Sequence, residues 1–132
     1  MAGSPEKAVL LLQDLYDAFE KQDATRIRDL VAEEAEWHVP GRNLLAGTYR
    51  GHAQIFGYFA RIQELSGGTF RADPRDILGG SAHGATLSTV TARREGLHYH
   101  GTYCMTFRFR DGRIVEARLY PEDQGAFDAF WS

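Results

Sequence analysis

Apolar residues recur at helical spacing near the start of the chain. Val9, Leu12, Tyr16 and Phe19 lie three or four positions apart, and Leu11 and Leu15 widen the stripe, which predicts an amphipathic helix. Ser4 followed by Pro5 supplies its start: a hydroxyl to cap a free N–H, then a proline in the first turn, where no N–H is missed. Asp23 can cap a second, short helix carrying Ile27, Leu30 and Val31. The period then changes to two. Ala35, Trp37 and Val39 alternate with Glu36 and His38, as in a short strand that Pro40 stops. Gly41 to Gly51 reads as an ordered loop. Ile55, Phe56, Phe59 and Ile62 restore the helical period, and Gly67 with Gly68 ends it.

Beyond Gly68 the pattern is that of strands. Phe70 to Leu78 is the first, and Pro74 assigns it to a sheet edge or a bulge. Gly79 and Gly80 turn the chain into Ala85 to Arg94. Glu95-Gly96 and Asp111-Gly112 are hairpin signals flanking Leu97 to Arg110, and Arg113 to Tyr120 follows before Pro121. The two long strands are two-faced. Tyr103, Met105, Phe107 and Phe109 oppose Cys104, Thr106, Arg108 and Arg110; Val115, Ala117 and Leu119 oppose Glu116, Arg118 and Tyr120. One face should pack on helices while the other meets water or a partner. The tail can form one or two helical turns bearing Phe127, Phe130 and Trp131. Helices first and an antiparallel sheet after them make an α+β layout in a single domain over residues 1–132.

Composition narrows the function classes. The 132 residues hold 15 Lys plus Arg and 18 Asp plus Glu, a net charge of −3, which argues against a surface built to neutralise nucleic-acid phosphates. One cysteine, Cys104, excludes an internal disulfide framework and a cysteine-built zinc site. No apolar run has the length to span a bilayer, and the opening residues MAGSPEK do not read as a secretion signal, so a cytoplasmic protein is expected. Aromatic content is the unusual feature: 2 Trp, 6 Tyr and 8 Phe must fill a core, line a cavity or make an interface.

The order of helices, WHVPGRNLLAGTYRG, a further helix, strands containing FRFRDGRIVE, and a terminal YPEDQGAFDAFW resembles the SnoaL-like polyketide cyclases, within the superfamily of ketosteroid isomerase and nuclear transport factor 2. The resemblance covers nearly the whole chain. It implies a cone: a curved antiparallel sheet wrapped around the N-terminal helices, a short C-terminal helix, a deep pocket, and a homodimer formed through the outer sheet face. It also implies an enzyme without cofactor or metal, acting by acid–base chemistry on a small hydrophobic oxygenated molecule. Cyclisation, isomerisation and epoxide opening all fit. The superfamily's proton-handling positions are altered here. The isomerase's oxyanion-hole acid falls at Met105, the cyclase aspartate at about Leu119, and the isomerase base at Val39, beside His38. The helix-one tyrosine falls at about Leu15, beside Tyr16. A non-catalytic binding or dimerisation domain of the same fold is therefore the alternative.

The residues left to carry chemistry are few. His38 or His100 would move a proton, since imidazole titrates near neutral pH, and Tyr49 and Tyr103 would hold the substrate oxygen. Tyr16, Trp37, Phe56, Phe59, Tyr99, Met105 and Leu119 are expected to bind the substrate. His98 and His100 share a strand face as a metal pair would, with His83 or Glu116 as conceivable third ligands, but parity puts them on the outer face and no metal is expected; a bulge in this long strand would turn His100 inward as a base. Loop Arg42 could pair with a carboxylate. Glu122 and Asp123 are read as caps of the terminal helix, Cys104 as a buried or interface thiol, and the tail rings as a lid or interface.

Overall fold

The computed structural model describes residues 3–132. Helix α1 (Pro5–Glu20) is capped by the Ser4 hydroxyl, which accepts from the Lys7 N–H. Asp23 caps α2 (Ala24–Leu30) by accepting from Arg26 N–H. Strand β1 (Val31–Val39) follows without a loop, β2 is Gly47–Arg50, and α3 is Gly51–Leu65. A meander then runs through β3 (Arg71–Gly79), β4 (His83–Arg94), β5 (Leu97–Arg110) and β6 (Arg113–Pro121), and α4 (Gln124–Phe130) closes the chain.

The strands form one curved, open sheet in the order β2-β1-β6-β5-β4-β3. All neighbours are antiparallel except β1 and β6, which run parallel. The chain leaves β1 at one side, crosses through α3 to the far edge, and returns by hairpins until β6 lies beside β1. Both predicted hairpin signals are two-residue turns with positive φ at each position, 51° and 80° at Glu95-Gly96 and 53° and 76° at Asp111-Gly112. That pattern matches the right-handed twist of the strands it joins. Pro74 sits on the edge strand β3, and the register slips between Pro74 and Asp76.

Two sequence expectations change. Val31 belongs to β1 and not to the second helix, because it pairs with Ile114 of β6 and sheet pairing overrides the helical stripe. The expected loop Gly41–Gly51 contains β2, in which Tyr49 faces Trp37 and Thr48 faces His38. A four-residue edge strand between glycines has no alternation to announce it.

The core lies between the inner sheet face and the helices. Leu12 and Leu15 of α1 and Ile55, Tyr58 and Ile62 of α3 are buried against inward residues of the strands. The tail rings fill the end of the cone: Phe127, Phe130 and Trp131 are 1, 4 and 0% exposed. Trp131 packs edge-on against Phe130, its indole N–H reaches the Tyr103 hydroxyl oxygen at 3.4 Å, and the Arg94 guanidinium donates to the Phe130 and Ser132 carbonyls. Asp123 caps α4 by accepting from Ala126 N–H.

Close approach of α1 to the sheet depends on glycine. A Cβ at Gly79 would run into the Pro5 carbonyl and lie 3.0 Å from a Val9 methyl, and one at Gly84 would lie 2.9 Å from Leu12 Cδ1. Since backbone cannot yield as a flexible side chain does, Gly79→Ala should cost about 1–3 kcal/mol by overpacking. Urea unfolding that leaves the midpoint unchanged would show α1 to be free to move.

Candidate functional site

Alternation along β4, β5 and β6 turns Thr86, Ser88, Tyr103, Met105, Phe107 and Leu119 inward. All of these but Thr86 line, with residues of α1, β1, α3 and β3, an apolar cavity of about 60 Å³. Phe19, Trp37, Phe59 and Phe70 form its ring wall. Trp37 meets Phe59 edge-on at 5.1 Å, Phe19 meets Phe59 at 5.2 Å, and Phe19 meets Phe70 at 6.0 Å. Edge-on packing leaves ring faces free to contact a flat molecule.

The polar groups of this lining are the hydroxyls of Tyr16, Tyr58, Ser88 and Tyr103 and the indole N–H of Trp37. Tyr16 Oη shares a 2.6 Å hydrogen bond with Thr86 Oγ1. Burial raises the Tyr16 phenol, tempered by the Ser88 and Thr86 hydroxyls beside it. Burial likewise pushes Tyr58 up, helped by the Tyr49 and Tyr16 phenols, and pushes Tyr103 well up, helped by the Tyr58 phenol. All three therefore stay protonated at neutral pH. They can donate to an oxygen but cannot serve as bases. Among the described residues, no carboxylate, imidazole, ammonium or guanidinium lines the cavity.

Six of the expected site residues meet here: Tyr103, Tyr16, Trp37, Phe59, Met105 and Leu119. The others lie elsewhere. His38 follows the inward Trp37 and so points to the outer sheet face, where its Nδ1 lies 2.9 Å from Thr48 Oγ1 and its Nε2 lies 3.1 Å from Glu116 Oε2. His98 and His100 are exposed, on either side of inward-facing Tyr99, and β4 and β5 pair without a bulge that would reverse them. Neither candidate for proton transfer therefore reaches the cavity. Tyr49 spends its O–H on the Leu45 carbonyl at 2.7 Å and stacks on Tyr58 at 4.7 Å, outside the cavity lining. Phe56 lies under the Arg28 guanidinium at 4.9 Å, and Tyr99 packs against Phe130. Arg42 approaches Asp128 through its backbone N–H. Of the lining residues that sequence reasoning did not assign to the site, Tyr58 and Ser88 are the two with hydroxyls; the others, Phe19, Phe70 and Phe107 among them, are apolar. Tyr58 does lie three residues after Ile55, on the apolar stripe of α3, and Ser88 alternates with Thr86 and Val90 on an inward face.

The outer face carries the charges. Glu36, His38 and Glu116 present ligand-type atoms within 4.8 Å of one another. Their carboxylates are already met by guanidinium groups: Arg50 lies 2.8 Å from Glu36, and Arg108 and Arg118 each lie 3.6 Å from Glu116. The group is an ion-pair network joining β2, β1, β6 and β5. Beside it, Leu87, Cys104 and Tyr120 form a less polar row across β4, β5 and β6.

Residues 12–117 match the SnoaL-like domain family, and the chain belongs to it. Bal32a, from a soil-derived mobile gene cassette, superposes with a TM-score of 0.93 at 32% identity, covering 97% of this chain and 98% of that one. IdmH of Streptomyces antibioticus, provisionally assigned as a polyketide cyclase, superposes with a TM-score of 0.72 at 25% identity over 85% of this chain and 89% of its own. The uncharacterised protein Rv0034 of Mycobacterium tuberculosis is 23% identical over 124 residues, 92% of this chain and 94% of that protein. No described helix is long and apolar enough to cross a membrane.

The outer network makes a pH prediction. Burial raises the Glu116 carboxyl, but the His38 hydrogen bond and charge, with Arg108 and Arg118, outweigh it and hold the group below its ordinary value. A carboxyl depressed in the folded state contributes stability above its unfolded pKa, about 4.3. That contribution is lost as pH falls through the folded value. Urea midpoints should therefore fall between about pH 5 and 3, and less steeply for Glu116→Gln. Equal slopes would contradict the assignment.

Proposed function

We propose that the protein is a small-molecule-binding member of the SnoaL-like family. Its cone takes an uncharged, hydrophobic, oxygen-bearing ring compound and holds it by hydrogen bonds from protonated hydroxyls. The observation that carries this reading is the cavity lining: aromatic walls, hydroxyl donors and no ionised group. In such surroundings a neutral acceptor oxygen is favoured, whereas a carboxylate would lose its hydration with no cation to replace it. The cavity of about 60 Å³ is small beside ligand pockets of roughly 300–1,000 Å³. Entry of a ring therefore needs side chains to give way. Half-buried Met105, unbranched and flexible, is suited to yield.

Acetophenone and benzoate have the same ring and differ in charge. Acetophenone should bind, seen by calorimetry and by a rise in Tm, and benzoate should not. Tighter binding of benzoate, or of neither, would overturn the reading.

A second reading, cofactor-free cyclase or isomerase chemistry, is favoured by the likeness to IdmH. In it the Tyr103 O–H would polarise a substrate carbonyl, and a base would have to come from outside the lining. The two readings separate in heavy water. Acetophenone carries an enolisable methyl group, and binding alone predicts no deuterium uptake above the protein-free rate. Uptake that Tyr103→Phe suppresses would favour the enzyme.

The same reading keeps a second copy of the chain over the outer face. Support comes from the Leu87, Cys104 and Tyr120 row, with Tyr120 48% exposed, set beside charges of both signs that can complement themselves across a two-fold axis. Light scattering should report twice the chain mass for the wild type and the chain mass for Tyr120→Arg. A monomeric wild type would contradict it.

A further inference from the structure

Ser88 puts a buried hydroxyl on the cavity wall. Its side chain is 1% exposed and lines the cavity, and among the described residues its hydroxyl, though close to the Tyr16 phenol, makes no hydrogen bond of normal geometry. Its neighbours on the same face do not share this condition. Thr86, two residues earlier, is equally buried, but its hydroxyl is engaged by Tyr16. Tyr103, opposite Ser88 in the β4–β5 register, receives the Trp131 N–H. Gln63 Oε1 and Arg94 Nε are also buried and unpaired, but neither residue lines the cavity. A hydroxyl that gives up water without gaining a partner destabilises the folded state, and alanine would occupy the same place without that cost.

We propose that Ser88 is a specificity-determining residue whose O–H donates to the acceptor oxygen of the bound molecule. This rests on the reading of the cone as a site for a neutral ligand and names the feature selected. Ser88 lies beside the Tyr16 phenol, so a ligand oxygen at this point meets the only polar corner shared by α1 and β4 in the lining. The ring walls of Phe19, Trp37, Phe59 and Phe107 then take the hydrocarbon part. The class that fits is a flat, uncharged ring system with a carbonyl oxygen at one end: a carbonyl accepts from a hydroxyl and needs no counter-charge. A buried water held by Ser88 is the competing account, since a polar corner with room for one can trap it.

Acetophenone and ethylbenzene share a ring and a two-carbon side chain and differ in the carbonyl, so together they isolate its contribution. Calorimetry on the wild type should show a preference for acetophenone. In Ser88→Ala its affinity should fall about three- to tenfold while that of ethylbenzene stays unchanged, the loss expected for one hydrogen bond. Ser88→Thr, which keeps the hydroxyl, should keep the preference. The ligand-free Ser88→Ala protein should melt a few degrees higher than the wild type, because an unmet hydroxyl has been removed. A higher Tm with a weaker ketone complex distinguishes a ligand-binding hydroxyl from a structural one. If Ser88→Ala keeps the ketone preference, or melts lower, the proposal is wrong and Ser88 serves the fold or a trapped water. If the wild type binds neither compound, the neutral-ligand reading falls as well; if it binds both and Ser88→Ala changes nothing, that reading survives and only the role of Ser88 is lost.

Discussion

Two-residue alternation along one curved sheet sorts the chemistry of this chain into two compartments. Residues of one parity on β4, β5 and β6 face the helices and are rings, aliphatic groups and hydroxyls; their neighbours face outward and include Arg108, Glu116 and Arg118. A slip of one residue in any of these strands would exchange the two sets. Register is therefore the constraint on which both core and cavity depend. The two-residue turns at Glu95-Gly96 and Asp111-Gly112 hold it, since their positive φ values suit only a tight hairpin. The irregularity between Arg108 and Phe109 falls after the cavity residues of β5, so Tyr103 and Met105 keep the inward parity that the turn at Glu95-Gly96 sets.

A lining without ionised groups among the described residues is the second consequence of this sorting. Ionisable groups that could act as bases have been placed where water and guanidinium groups meet them. The phenols inside are raised by burial and remain donors. The superfamily positions that would carry an acid hold Met105 and Leu119, and both residues do line the cavity. Substitution at these positions leaves a box that can recognise an oxygen but has no group of its own to take a proton. On this fold the chemistry of the cone is set by the identity of a few inward side chains on the scaffold.

The fold was legible in the sequence where local signals agree. Caps at Ser4 and Asp23, the Pro74 edge, both hairpin turns and the two-faced strands all appear as the pattern predicts. What escaped was decided by partners distant in sequence: the strand start at Val31, which Ile114 imposes, and the edge strand Gly47–Arg50, which exists by pairing with β1. The site followed the same rule. Parity alone put Tyr103 and Met105 inside and His98 and His100 outside. For His38 parity pointed outward, and the resemblance drew attention to it as a neighbour of the isomerase base position; the structure follows parity and ties the imidazole to Glu116. Ser88 carried only the inward parity it shares with Thr86 and Val90, because the lack of a partner is a property of three-dimensional packing.

The chain has two methionines, so the ε-methyl carbon signal of Met105 can be assigned with a single variant, Met105→Leu. Following that signal in a ¹³C-methyl spectrum while acetophenone is added reports directly on occupancy of the cone, because Met105 lines the cavity. The account predicts a progressive, saturable shift, as an aromatic ligand brings its own ring current close to the methyl group. Saturable binding by calorimetry with an unmoved Met105 signal would place the ligand elsewhere on the molecule and contradict the central claim.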